Sequence, residues 1–196
     1  MCFVGLDRAV RLAQHYGKDK EAERWAHLRD RVQAEVLSKA WHERKRSFTM
    51  YYGGSELDAS VLMMSYHEFL DHDDPRLIST VKAINEELRV EGLVQRYRMA
   101  DDFGRSKSAF TICSFWLVDA LFSIGEEEEA RKLYGQLEQY SNHLDLYSED
   151  LDLESKQLIG NFPQAYTHIA LINSSVLLSE WNTKRKKVER SRSRIQ

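Results

Sequence analysis

Cysteine and proline are nearly absent, with two of each among 196 residues. Cys2 and Cys113 lie in apolar helical text and lack a Cys-x-x-Cys spacing, which argues against a disulfide framework or a zinc site and for buried thiols. No run approaches the roughly 18 apolar residues that a transmembrane helix needs. No basic stretch followed by an apolar one opens the chain, so no secretion signal is read and the cytoplasm is the default compartment. The histidines, at 15, 27, 42, 67, 72, 143 and 168, show no H-E-x-x-H or similar ligand spacing, so no metal site is expected. No G-x-G-x-x-G or Walker pattern cradles a phosphate, and Ser, Cys and His form no nucleophile motif. Nucleotide chemistry is disfavoured and no cofactor is expected.

What remains is the composition of a soluble globular polypeptide, 42% hydrophobic and 30% charged. The net charge of −3 is unevenly spread. Lys184, Arg185, Lys186, Lys187, Arg190, Arg192 and Arg194 crowd the last residues against Glu189 alone, and the body is acidic. Such a tail can hold nucleic acid or anionic lipid through phosphate contacts. It lacks interleaved aromatics, however, and is read as a solvated, disordered terminus over 184–196, with neither nucleic acid nor membrane as a partner.

Two kinds of helical segment alternate along the chain. Phe3–His15, Leu57–Leu70, Ser108–Ile124 and Pro163–Trp181 are nearly apolar all round and should be buried. Lys20–Trp41, Pro75–Leu88 and Glu126–Asn142 carry narrower apolar stripes between charges and should face water on one side. Asp74 before Pro75 reads as a helix cap followed by an N1 proline, and Gly17 and Gly125 read as helix stops. Met1 and Cys2 run into helical text with no capping residue, as if the chain began in mid-helix.

Apolar helices pass to amphipathic ones through short links, whereas each return takes a long excursion: Trp41–Glu56, Val90–Lys107 and Leu144–Gln164. Connections this long in a compact domain are usually functional or linkers. If inner and outer helices alternate in direction, the three excursions share one rim, and that rim is the candidate site. The fold class is all-α. The architecture is an α/α toroid over residues 1–183, about seven helices long, with an α-solenoid as the rival reading.

The Leu144–Asn161 excursion is dense in carboxylates: Glu149, Asp150, Asp152 and Glu154. They suit a general base, solvated loop charge, or Ca²⁺, although the EF-hand spacing is absent. Arg96, Tyr97, Arg98, Asp101 and Asp102 follow a short β-like run at Leu93–Tyr97. Arginine forks and carboxylates suit neighbouring sugar hydroxyls, and Tyr51, Tyr52 or Phe110 can stack on a pyranose face; an Arg–Asp loop salt bridge is the structural alternative.

Gly92-Leu93-Val94 with Arg96-Tyr97, Asp101-Asp102-Phe103-Gly104, SAFTICSFWLVDAL, Ser148-Glu149-Asp150 with Asp152, and GNFPQAYTHIALIN together resemble glycoside hydrolase family 15, the glucoamylase-like family. The similarity is greatest to its bacterial and archaeal branch of glucoamylases, glucodextranases and α,α-trehalases, and it extends to about Trp181. This resemblance implies an (α/α)6 toroid, here its incomplete carboxy-terminal portion, and hydrolysis of an α-glucosidic bond with inversion. It implies Glu149 as the general base, Arg96 and either Asp101 or Asp102 as holders of sugar hydroxyls, and Phe110 as an aromatic wall. The substrate would be trehalose or an α-linked gluco-oligosaccharide.

Two departures stand out. Lys107 occupies a position that is acidic in many bacterial relatives. The family's general acid lies on a tryptophan- and glutamate-bearing loop that is not in these 196 residues, nor is the β-sandwich of longer relatives. The expectation is therefore a carboxy-terminal portion of such a hydrolase, inactive alone, that self-associates through exposed apolar helix faces. The alternative is a non-catalytic carbohydrate-binding half-toroid.

Overall fold

The structure, a computed structural model, describes residues 1–192 other than Asp101 and Phe103, with the side chains of residues 180–192 outside that description. Among the described residues there are seven α-helices: α1 (Cys2–His15), α2 (Asp19–Lys39), α3 (Met63–Tyr66), α4 (Pro75–Leu88), α5 (Thr111–Ser123), α6 (Glu127–Glu138) and α7 (Ala165–Arg192). Short strands occupy the excursions between them. β1 (Trp41–His42) pairs with β2 (Ser47–Phe48), and β3 (Arg89–Val90) with β4 (Leu93–Val94). A three-stranded antiparallel sheet joins β5 (Ser108–Phe110), β6 (Asp150–Asp152) and β7 (Leu158–Ile159).

Helix α5 is the hub. Cys113, Ser114, Phe115, Leu117, Val118, Ala120 and Leu121 are buried around its circumference, and it packs against α3, α4, α6, α7 and strands β4 and β5. A helix apolar all round is stable only when enclosed, and its neighbours supply the single-faced stripes that enclose it. In α4 these are Leu77, Thr80, Val81, Ile84 and Leu88; in α6 they are Ala130, Leu133 and Leu137. Helix α4 begins as the sequence indicates, with Pro75 in its first turn and the Asp74 carboxylate accepting the Arg76 N–H at 2.8 Å. Glu127, Glu128 and Glu129 crowd the amino end of α6, where the helix dipole favours negative charge.

All four apolar segments depart from expectation, the last of them through an exposed stripe on α7. Leu57–Leu70 is not one helix: Asp58 adopts an extended conformation and its carboxylate accepts the Ser60 N–H at 2.6 Å, starting a 3₁₀ turn at Ala59–Leu62 that leads into the single turn of α3. A local side-chain bond of this kind competes with a continuous helix. Ser108–Ile124 opens as a strand, because residues 108–110 are claimed by β6. Helix α1 buries one face only, through Phe3, Asp7, Val10 and Ala13, and leaves Leu12 and Tyr16 exposed. It pairs with α2 as a hairpin turned at Gly17, whose φ of +64° suits glycine.

The last helix continues beyond Trp181 into the basic segment, to Arg192. The basic side chains from 184 onward lie outside the described residues. Nearer its start, α7 exposes Tyr166, Ile169, Ile172 and Val176, each at least 50% accessible, on a stripe beside the groove where Trp116 and Asp119 of α5 meet Ala170 and Asn173.

Asp119 titrates unusually. Burial pushes its carboxyl up to about 6, opposed by the Ser174 hydroxyl donating at 2.6 Å. An aspartate in the unfolded chain loses its proton near pH 4. Between about pH 4 and about pH 6 the folded state therefore holds the extra proton, so this group's contribution to stability falls as pH rises through that window and is level above it. Urea unfolding of Asp119→Asn is expected to lack this decline, gaining roughly 2 kcal/mol on the parent chain between about pH 4 and about pH 7. Parallel profiles for the two proteins would show that Asp119 is not the group responsible.

Candidate active site

The segment Tyr147–Asp150 is held from several sides at once. The Gln164 N–H donates to the Tyr147 carbonyl at 2.9 Å, and the buried Thr167 hydroxyl donates to the Ser148 carbonyl at 3.1 Å. The Glu149 N–H donates to the Asn161 carbonyl, and the Thr111 N–H donates to the Glu149 carbonyl, both at 2.9 Å. The Tyr147 ring is packed edge-on to Phe115, its hydroxyl donates to the Leu137 carbonyl at 3.1 Å, and burial pushes its phenol up to about 12. The backbone of Glu149 is thereby fixed against the first residue of α5 and the strand end of β7. In the sheet register Phe110 faces Asp150, and Asp150 faces Ile159.

A second excursion is tied in through Arg96. Its Nε donates to the Asp58 carboxylate at 2.9 and 3.2 Å, and its carbonyl accepts the Ala59 N–H at 2.8 Å. Only 4% of the Asp58 side chain is accessible, whereas 43% of Arg96 is, so the carboxylate is a buried anchor for a guanidinium that reaches outward. Burial works against the Arg96 charge, but the Asp58 bond and charge outweigh it and its proton affinity is raised. The Gln95 side-chain amide donates to the Ser106 carbonyl at 3.0 Å, and the Leu153 N–H to the Lys107 carbonyl at 3.1 Å, which closes this excursion onto the sheet.

These ties bring Arg96, Tyr97, Ser106, Ser108, Phe110, Glu149 and Asp150 around one open cavity of about 280 Å³. That is near the lower end of small-ligand sites, which begin at about 300 Å³. Its described lining residues combine one guanidinium, two adjacent carboxylates, hydroxyls and aromatic rings. Asp150 accepts from the Ser108 hydroxyl at 2.9 Å; burial raises its proton affinity, Ser108 opposes this, and Glu149 adds to it. Such a set can orient the hydroxyls of a sugar, offer a ring as a wall, and place a carboxylate beside a water.

Of the residues singled out in the sequence, Arg96, Phe110 and Glu149 meet in this cavity. Asp102 lies on an exposed turn and is not among the described lining residues, and Asp101 falls outside the described residues. Tyr51 and Tyr52 are elsewhere: the Tyr51 hydroxyl donates to Glu56 at 2.6 Å, and Lys39 sits over the Tyr52 ring. Lys107 is exposed at the end of the β5–β6 ladder and does not line the cavity. Sequence reasoning did not single out Asp58, Ser108 or Asn161. Asp58 stands 38 residues from its partner, and no local pattern marks it. Among the described residues no group of three or more His, Cys, Asp or Glu side chains is placed to hold a metal ion.

Comparison with known proteins identifies the family. The profile described as Glycosyl hydrolases family 15 matches residues 1–128 and 125–176. The chain is 44% identical over 179 residues to a trehalase of Mycobacterium tuberculosis, covering 90% of this chain and 26% of that protein. It is 32% identical over 186 residues to a trehalase of Thermoplasma acidophilum, covering 94% of this chain and 32% of that one. The chain thus spans about a quarter to a third of the length of these curated relatives. Among solved structures, a wild-type glycosidase superposes with a TM-score of 0.70 at 17% identity, over 81% of this chain and 45% of the other. A variant glycosidase in complex with glucose superposes equally, at 16% identity over the same shares. At such identities the likeness speaks for the fold, a portion of an α/α toroid.

The Asp58–Arg96 pair joins a buried carboxylate to a half-exposed guanidinium. Replacing Asp58 with Ala is expected to cost roughly 1–3 kcal/mol in urea unfolding, and to speed exchange of the Arg96 Nε proton in amide-type NMR spectra. Unchanged exchange would show that Asp58 does not hold the guanidinium.

Proposed function

The chain belongs to glycosyl hydrolase family 15, and from that premise we propose that it forms the base side of an α-glucosidase pocket of trehalase type. The observation that carries this reading is the meeting of Arg96, Phe110 and Glu149, which stand 14 and 39 residues apart, in one cavity. Glu149 is the general base. Its carboxylate takes a proton from a water, and that water's oxygen attacks the anomeric carbon from the face opposite the leaving group, inverting it. Arg96, anchored by Asp58, donates to hydroxyls of the sugar ring, with Asp101 or Asp102 as a further hydroxyl partner and Phe110 as the ring's wall. Asp150, sharing the cavity and Ser108, adds another acceptor.

The leaving oxygen needs a proton from a second carboxyl, about 6.5–9.5 Å from the base in inverting enzymes. The resemblance implies an acid on a tryptophan- and glutamate-bearing loop, and no such loop is found among these 196 residues. A base without its acid forfeits a step worth about 10²- to 10⁴-fold, so the chain alone is expected to be nearly inactive on trehalose or α-linked gluco-oligosaccharides. A second reading, a carbohydrate-binding protein, is favoured by the fact that the hydroxyl-binding Arg96 is complete with its anchor here.

α-Glucosyl fluoride separates the base from the acid, because fluoride departs without protonation. The chain is expected to release fluoride and β-glucose from it while cleaving trehalose at least about 100-fold more slowly than the Mycobacterium tuberculosis relative assayed alongside. Glu149→Gln is expected to abolish fluoride release, and Arg96→Ala to raise KM. Full release by Glu149→Gln would remove it from the mechanism. Binding heat with trehalose but no fluoride release would favour the binding reading.

The exposed stripe Tyr166, Ile169, Ile172 and Val176 supports the expectation that isolated chains associate. Sedimentation velocity is expected to show concentration-dependent species larger than 23.0 kDa; a single monomeric boundary at all concentrations would refute this.

A further inference from the structure

Glu149 presents two carboxylate oxygens, and its surroundings treat them differently. Oε2 accepts two hydrogen bonds, both from Asn161: the side-chain amide at 2.9 Å and the backbone N–H at 3.2 Å. Among the described residues none donates to Oε1. The turn that delivers Asn161 is fitted to the same oxygen. Gly160 has φ +78°, and a Cβ there would lie 3.0 Å from Oε2 and 3.1 Å from the Glu149 Cβ, so a side chain at this position would be strained and crowded against Glu149. The pairing is reciprocal, since the Glu149 N–H donates back to the Asn161 carbonyl at 2.9 Å.

A carboxylate oxygen offers about two lone-pair sites. Two donors from one residue occupy both on Oε2, so among the described residues Oε1 is the oxygen left without a donor, on a side chain that lines the cavity. We propose that Asn161 is a positioning residue that divides the labour of the Glu149 carboxylate, fixing Oε2 so that Oε1 receives the proton of the attacking water. This rests on the reading of Glu149 as the base. In the step itself, a water O–H bond breaks and its proton passes to Oε1. The water oxygen bonds to the anomeric carbon, and the carbon–leaving-group bond breaks with its electron pair going to the leaving group. Fluoride departs as the anion; a glucosyl oxygen takes a proton from a carboxylic acid. Asn161 exchanges no proton, and its contribution is the angle at which Oε1 meets the water. A tethered carboxylate loses less orientational freedom on reaching the transition state than a free one, so the benefit falls on kcat more than on substrate affinity.

The test uses the whole 196-residue chain in two measurements. In the first, ¹⁵N spectra follow the Asn161 side-chain amide and backbone N–H across the carboxylate pH range. Both signals are expected to move together, and the movement is expected to vanish in Glu149→Gln; signals that ignore pH, or move equally in Glu149→Gln, overturn the tie. In the second, α-glucosyl fluoride is the substrate. Asn161→Ala keeps the backbone N–H and loses only the 2.9 Å bond. It is expected to lower kcat roughly tenfold with KM within about twofold, and Asn161→Ser, which retains a donor, is expected to recover part of the loss. An Asn161→Ala chain that folds and keeps its parent's kcat overturns the positioning role, even where Glu149→Gln is inactive. If Glu149→Gln itself keeps full turnover, the base reading fails instead, and the proposal with it.

Discussion

The structure turns on one pair of main-chain hydrogen bonds, in which the Glu149 carbonyl accepts from Thr111 and its N–H donates to Asn161. The first ties the excursion to the amino end of α5, a helix buried around its circumference; the second ties it to the returning strand end. Between them they settle where a single carboxylate stands. The three-stranded sheet extends the tie on one side, and the Tyr147 ring, packed on Phe115, extends it on the other. Because α5 is buried around its circumference, its amino end cannot shift without disturbing α4, α6 and α7. The rigidity of the helical core thus reaches the site through Thr111.

A second constraint sets the charge of the cavity. Asp58 is buried and would be costly without a partner, and Arg96 meets that need with one nitrogen while its guanidinium faces the rim. The described lining of the pocket accordingly includes both a cation, Arg96, and the Glu149–Asp150 pair. Groups of this kind suit a neutral, hydroxyl-rich ligand, which can donate to carboxylates and accept from the guanidinium at once. The length of the curated relatives, of which this chain covers 26% and 32%, sets the other boundary.

Much of this was legible in the sequence. The stripes of α4 and α6 and the unbroken apolarity of α5 follow from periodicity, and the cap of α4 follows from Asp74-Pro75. Of the three long excursions, 90–107 and 144–164 supply described lining residues of the cavity and 41–56 supplies none; Arg96, Phe110 and Glu149 were named from motifs. What escaped was non-local. Nothing near Asp58 announces that it will meet Arg96, and its short-range bond to Ser60 broke a helix that apolarity alone predicted. Asn161 lies 12 residues beyond Glu149, a separation that acquires meaning only once β6 and β7 pair. Tyr51 and Tyr52 suited a sugar by composition, but the Tyr51 hydroxyl bonds Glu56, Lys39 sits over the Tyr52 ring, and neither lines the cavity.

The account stands most directly on where a glucoside touches this chain. Titrating trehalose into the ¹⁵N-labelled protein should shift the amide signals of Arg96, Ala109, Thr111, Glu149, Asp150 and Asn161 along a common saturation curve. Shifts confined to α1, α2 or the exposed face of α7, or no shifts at saturating sugar, would contradict it.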